Sequence, residues 1–470
     1  MKRLFGLFLF VIFFGSLAFA GPWGIVVNSA SMNINTIDLG QSPPKVYGPF
    51  LTGSLGTSGE ELLDVAVTPD SQYALISNFG ASKVFRIDLT NPTNPVLAGS
   101  ISLGSMFAED IAISPNGRFA VVADGGFSKQ LAFIDLANFP NFSLYTVTSS
   151  NLYANGVAIG NDNSTVIVAD YFISRIVFGR VNATFSGLIS ESNLACDSGP
   201  INITISPDGN TVLTTNWTNT RIGVFQITAP GVVVPGSTPW IGGFHDSAQS
   251  IAFAPDGKKA YIINAGQGGD PVRLSWIKIN GPGNAAWGAE RVANLSAYSS
   301  AGWFGVDTIA VDSTGNYAIA TKTSPTSDSA NRVTLINLNN YQATAINDTK
   351  IDCAGVAIFN EIVYPPTNAA IERTTNNYIF YKEYINRVSW QANSKNLSPI
   401  SKYRIYRKAS GAADSTYVQA DEVDASIFQY VDRALKKNDY YSYRITSINN
   451  RGLESPATEI GNTVVLRRGR

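Results

Sequence analysis

One histidine occurs in the 470 residues, His245, in a Gly-Phe-His-Asp run. Its ordinary pKa makes it the candidate general base near neutrality, and Asp246, Asp307 or Glu109 could tune it for water activation. Carboxylates come in the runs Glu60-Glu61 and Glu109-Asp110, with Asp64, Asn155, Asn202 and Gln249 as further oxygen-bearing groups. Gathered at one mouth, such groups could chelate Ca2+, which takes about six to eight oxygen ligands. They could instead hold a polyhydroxylated ligand against aromatic faces such as Phe79, Tyr171 and Trp217. A third option is structural, with Asp and Asn of an inner strand satisfying neighbouring backbone groups.

Other chemistries are excluded. The chain has no Gly-x-Ser-x-Gly elbow, P-loop, His-Glu-x-x-His or EF-hand loop, and a single histidine rules out a His-rich metal centre. No organic cofactor is called for. Cys196 and Cys353 are the two cysteines. In an oxidising compartment they could bridge, if the fold brings their Cα atoms within about 7 Å.

What must position these residues is a repeat. A small residue between two strand formers recurs in Val65-Ala66-Val67, Ile111-Ala112-Ile113, Val157-Ala158-Ile159, Ile203-Thr204-Ile205, Ile251-Ala252-Phe253, Ile309-Ala310-Val311 and Val356-Ala357-Ile358. The intervals are 46, 46, 46, 48, 58 and 47 residues. Pro-Asp-Gly or a relative often follows, with Pro presetting one turn dihedral and Gly accepting positive φ. Twelve residues after the small residue, a second strand ends in Asn78, Asp124, Asp170, Asn216 or Asn264; the sixth repeat has Lys322 there. A period near 45 with several short strands per unit is the signature of a β-propeller. The seventh repeat lacks its later strands, but Trp23–Asn28 matches Tyr73–Asn78 and Ile37–Leu39 matches Ile87–Leu89. The N-terminal segment is therefore expected to complete the last blade beside Val356, sealing an edge that would otherwise invite aggregation. In this register Glu109, Asp110, Asn155, His245 and Asp307 surround the central mouth, Trp217 stands just outside, and Trp240, Phe244, Trp303 and Phe304 occupy entering loops.

Repeats such as Tyr73-Ala-Leu-Ile-Ser-Asn78 followed by Val84-Phe-Arg-Ile-Asp88 resemble the YVTN-type, lactonase-like seven-bladed propellers over about residues 22–365. The resemblance implies the fold. Related propellers include surface-layer proteins, binding scaffolds and lactone hydrolases, so function must be argued from the site.

Beyond residue 366 the repeat stops and Tyr becomes frequent. Arg387–Trp390, Tyr403–Arg407 and Tyr441–Ile445 alternate as strands do, and a Trp on an early strand suggests a sandwich. The run from Leu435 through Tyr441-x-Tyr443-x-Ile445 to Gly452 resembles the closing half of a fibronectin type III domain, which implies a spacer or surface-docking module. Tyr441 is expected in the tyrosine-corner place, its hydroxyl bonded to upstream backbone.

Lys2 and Arg3, the apolar run Leu4–Phe14 and the Ala18-Phe19-Ala20 site read as a secretory signal. No second apolar run long enough to span a bilayer follows. The net charge of −1 gives no reason to expect nucleic acid, but it conceals an acidic body, net −9 over residues 21–366, and a basic module, net +6 over 367–470. The expected organisation is all-β: a signal peptide (1–20), a seven-bladed propeller (21–365), a fibronectin type III-like domain (366–466) and a basic tail (467–470). The expected role is a secreted, periplasmic or cell-surface binding or scaffold protein for a carbohydrate, a small ligand or a surface protein. The alternative is a lactonase-like hydrolase using His245.

Overall fold

The computed structural model describes residues 22–460 apart from 30, 42, 58, 127, 149–151, 198, 218–219, 243–246, 265–272, 296–307, 322–332, 347–352, 397, 438–439 and 451. The chain forms two compact units, residues 22–361 and the residues from 362 onward.

Among the described residues, the first unit holds seven four-stranded antiparallel sheets, the arrangement of a propeller-type fold. Each starts with an inner strand carrying the repeated small residue: Leu62–Val67, Ala108–Ile113, Ala154–Ile159, Pro200–Ile205, Ala248–Phe253, Ile309–Val311 and Cys353–Phe359. They are numbered here as sheets one to seven in that order. The inner-strand turn works as the residues suggest: in sheet two, Ser114 N–H donates to Phe119 O and Gly117 N–H to Ser114 O, both at 2.8 Å. Gly117, Gly209, Gly257 and Gly315 all take positive φ, from 66° to 77°, where a Cβ is disfavoured.

Sheet seven is completed by the other end of the unit. Its inner strand pairs with Trp23–Asn28, with Ile25 opposite Ala357 and Val26 opposite Val356, and Asn33–Asp38 and Lys45–Phe50 follow outward. Packing joins the sheets. Each sheet shares an apolar cluster with the next, as Phe119, Phe133, Val157 and Val168 do between sheets two and three, and Ile25, Val27, Val65 and Ile76 between sheets seven and one. Clusters of this kind fill all seven junctions. Alternating strands explain it, because every sheet buries both faces against neighbours.

The second unit has a three-stranded sheet (Thr367–Asn377, Lys382–Gln391, Gln429–Leu435) and a four-stranded one (Val418–Asp424, Ile400–Ala409, Tyr441–Asn449, Thr458–Ile460). Both contribute to one core: Val388 and Trp390 from the first, Tyr403, Ile405, Tyr443 and Ile445 from the second. The tyrosine that buries its ring and bonds through its hydroxyl is Tyr443, not Tyr441. Tyr443 donates to Asp432 Oδ2 at 2.6 Å and accepts from Asn386 Nδ2 at 2.9 Å, so its partners are side chains rather than backbone. Tyr441 is half-buried, with the Arg407 guanidinium 4.7 Å from its ring centre. Tyr441, Tyr443 and Ile445 share one parity, so alternation does not decide between the tyrosines; Tyr443 lies deeper in the core, where Asp432 brings an acceptor. Among the described residues no helix is long and apolar enough to cross a membrane.

Candidate ligand rim around Glu109

The residue two places before each repeated small residue sits where neighbouring inner strands meet. Asp64 Oδ2 accepts the Ile111 N–H at 3.2 Å and Asp110 Oδ2 accepts that of Val157 at 2.7 Å, each tying its sheet to the next. Ser250 does the same for Ile309. Where the position is Gly the strands close directly: a Cβ on Gly355 would lie 2.8 Å from Asp64 Cα, and one on Gly156 2.9 Å from Ile201 O. A second row of ties comes from the residue before the end of the second strand. Ser77, Thr215 and Thr321 hydroxyls donate to the carbonyls of Glu109, Gln249 and Ala354 in the following sheet. Asp64 and Asp110 are thus pins of the ring. Burial holds the Asp110 carboxyl well above its ordinary value, and the nearby Asp64 charge adds to this.

One position outward the ties are made by backbone rather than by side chains. Phe79, Gly125, Tyr171 and Trp217 donate their N–H groups to the carbonyls of Glu61, Phe107, Tyr153 and Gly199 at 2.8 to 3.0 Å, which fastens four successive entering loops to four second strands. The buried residue that ends each second strand organises this turn. Asp124 Oδ1 accepts from Phe107 and Gly126 N–H groups, and Asp170 accepts from Tyr153 N–H and pairs with Arg175 at 2.8 Å. Two aromatic pairs result: Phe79 with Phe107, 4.9 Å between ring centres, and Tyr153 with Tyr171, 6.1 Å.

Glu109 lies in the gap that Gly125 leaves. A side chain there would collide with Glu109 Oε2 and stand 3.0 Å from Phe79 Cε2. Burial raises the Glu109 carboxyl to about 7, helped by the charges of Glu61, Asp124 and Asp64 and opposed by the Asn155 amide. Asn155 Nδ2 stands 3.5 Å from Glu109 Oε1, while its own Oδ1 is buried without a partner. Tyr153 is raised too, chiefly by burial and then by Glu109. The rim therefore offers a carboxyl that exchanges its proton near neutrality, an unsatisfied amide oxygen and aromatic faces. Phe107 is exposed at 42% and Phe172 at 64%.

The structure brings Glu109, Asp110 and Asn155 together on adjacent inner strands. Trp217 takes the same register position as Phe79 and Tyr171 but two sheets on from Glu109, half-buried. His245 and Asp307 lie outside the described residues, as do Asp246, Phe244, Trp303 and Phe304. Trp240 does not enter the mouth; it sits on the outermost strand of sheet four against Phe225. The Cys196–Cys353 bridge is not present. Cys196 is a free, buried thiol against Thr214 and Asn216, and burial lifts its pKa to about 11. Its side chain is drawn into the apolar layer between sheets three and four, beside Ile203 and Phe225. Among the described residues no group of three or more acidic, His or Cys side chains is arranged to hold a metal ion, since Asp64 and Asp110 are committed to backbone. Phe107 and Tyr153 are the members not singled out from sequence, although Glu61, Phe107, Tyr153 and Gly199 stand 46 residues apart. A separate cleft of about 260 Å3, lined by Pro69, Tyr73, Arg86 and Leu136, lies at the opposite, turn-bearing end of sheets one and two. It contains none of these groups.

No protein-family profile and no curated protein matches the chain. Solved structures do. A functionally unknown protein from Desulfotomaculum acetoxidans aligns with a TM-score of 0.58 at 18% identity, covering 72% of this chain and 99% of its own. Two candidate 6-phosphogluconolactonases follow. The one from Bacteroides uniformis has a TM-score of 0.54 at 13% identity over 72% and 99% of the two chains. The one from Bacteroides fragilis has 0.53 at 12% over 73% and 98%. The structural neighbours are lactonase-like β-propeller proteins, and at these identities the likeness is one of fold.

Proposed function

We propose that this is an exported seven-bladed propeller followed in the chain by a fibronectin type III-like module, and that the rim of sheets one to three binds a neutral, hydroxylated ring compound such as a carbohydrate. The seven closed junctions support the blade count, and the three-plus-four arrangement around Trp390 supports the module. The Lys2–Ala20 segment supports export, to the periplasm, the cell surface or the medium. The observation that carries the ligand reading is Glu109, poised near neutrality between two aromatic pairs with an unsatisfied Asn155 oxygen beside it. Aromatic faces take sugar rings, and a carboxyl and an amide fix hydroxyls. The charges of Glu61, Asp64 and Asp124 around Glu109 repel anions, so a phosphorylated substrate fits this rim poorly. The test is a glycan array with the purified chain, followed by titration calorimetry. Phe107→Ala and Tyr171→Ala should each weaken the best ligand about tenfold, and unchanged affinity in both variants refutes the rim.

A second reading is lactone hydrolysis at the same rim, favoured by the Glu109 pKa, which suits a general base. Uncharged lactones are the substrates to try. Activity that survives His245→Ala but is abolished in Glu109→Gln, with binding retained, would establish it. No turnover in the native chain retires it.

A further inference from the structure

The hairpin joining Thr367–Asn377 to Lys382–Gln391 in the second unit turns through Tyr378-Ile379-Phe380-Tyr381. Tyr378 N–H donates to Tyr381 O at 2.9 Å and the two phenol rings stack 4.5 Å apart, 17° from parallel. This clasp projects the two residues between, leaving Ile379 exposed at 92% and Phe380 at 95%, with Tyr378 at 48% and Tyr381 at 63%. Scattered exposed apolar residues need no explanation. Two adjacent large ones held almost wholly in water by a ring clasp do.

The surroundings are positive. Lys382 follows the turn directly, and because Tyr384 pairs with Leu435, the exposed Arg433, Lys436 and Lys437 lie at the same end. Glu383, the acid beside them, turns inward. Its side chain is 14% exposed, accepts from Asn376 Nδ2, the Tyr378 hydroxyl and the Ala434 N–H, and pairs with Arg433 Nη1 at 3.9 Å, so the positive charge beyond that pair is that of Lys382, Lys436 and Lys437. Among the described residues this end therefore presents an apolar point flanked by cations.

A protein partner of ordinary stability needs about 800 Å2 of fitted surface per side, which a two-residue point cannot supply. A lipid bilayer needs no fitted face. It accepts a convex apolar tip at the headgroup boundary, favours tyrosine at that depth, and attracts lysine when its headgroups are anionic. We propose that this hairpin is a membrane-docking tip: Ile379 and Phe380 enter the interface of an anionic bilayer, Tyr378 and Tyr381 lie at headgroup depth, and Lys382, Lys436 and Lys437 meet the lipid phosphates. The inference is independent of the ligand rim.

The test is sedimentation of the full chain, produced through an export host, with vesicles of phosphatidylcholine alone or containing about one third phosphatidylglycerol. The native chain should sediment with the anionic vesicles and about tenfold less with neutral ones. I379S/F380S should lose at least tenfold and K436E/K437E about tenfold, with melting temperatures unchanged because all four side chains are exposed. In Phe380→Trp the indole emission should shift to the blue on adding anionic vesicles. The proposal is overturned if the native chain leaves anionic vesicles in the supernatant, or if I379S/F380S sediments as the native chain does. A dimer that I379S/F380S dissolves, in a chain that ignores vesicles, overturns it in favour of self-association.

Discussion

The inner ring of the first unit and the hairpin tip of the second put the same kinds of side chain to opposite uses. In the ring, carboxylates and hydroxyls turn inward and are consumed by backbone: Asp64, Asp110, Ser77 and Thr215 each tie one sheet to the next. At the tip, the carboxylate of Glu383 is tied down while apolar side chains and lysines are exposed. Residue type alone therefore does not mark function. Of the acidic residues at the mouth, Asp64 and Asp110 are structural, whereas Glu109, one residue from Asp110, has the opposite parity on its strand and faces the rim. Satisfaction separates them: a group whose bonds are taken by backbone is architecture, and one left beside a partnerless Asn155 oxygen is available.

That contrast can be broken from either side. The largest effect is expected at ring closure. Gly355→Val sets a branched side chain against Leu63 O and Asp64 Cα, and overpacking against backbone should cost about 3 kcal/mol or more. In urea denaturation the first unit's transition should move to lower denaturant while that of the second unit stays put; a common shift would mean the two units are not energetically separate. Next comes the second unit. Asp432→Ala strands the buried Tyr443 hydroxyl and the Arg407 guanidinium, which is paired to Asp432 at 2.7 Å, and should cost about 2–3 kcal/mol in that unit alone. Tyr443→Phe should cost about half as much.

Glu109 gives a smaller effect with a definite sign. Its folded pKa of about 7 exceeds the ordinary 4.5, so the folded chain binds the proton more tightly than the unfolded one. Stability should fall as pH rises from about 4.5 to 7 and level off above. Glu109→Gln should flatten that slope and stabilise the protein at pH 8 by about 1–2 kcal/mol, after allowance for the partial exposure of the residue. Loss of ligand affinity in the same variant would combine gained stability with lost function, whereas gained stability with unchanged affinity would make Glu109 another structural group. The smallest effect is kinetic. The Cys196 thiol, lifted to about 11, should react with a thiol reagent far more slowly in the native chain than after unfolding. A count of two thiols after unfolding without reductant would agree with its free state.

Much of the architecture was legible because it repeats. The intervals between Ala66, Ala112, Ala158 and Thr204 fix a register, and the register puts Glu109 and Asp110 on one inner strand and Asn155 on the next. The likeness of Trp23–Asn28 to Tyr73–Asn78 anticipated the pairing of Val26 with Val356. Less legible was anything set by a partner from elsewhere in the chain or by where a buried layer ends. Tyr441 and Tyr443 differ by two residues in an alternating run, and only the presence of Asp432 in the core picks out Tyr443. Cys196 stands near an inner strand in the chain, yet the apolar layer between sheets three and four claims its side chain.

Periodicity of apolar and turn residues, by itself, determined that this chain forms repeated four-stranded sheets closed by its N-terminal strands, because period-two alternation and fixed intervals are local properties that survive without any partner. Which carboxylate is pinned and which is poised, which tyrosine is buried, and that Ile379 and Phe380 stand in water were decided by tertiary structure. Each depends on desolvation and on hydrogen bonds to residues distant in the chain, and those exist only once the sheets have packed.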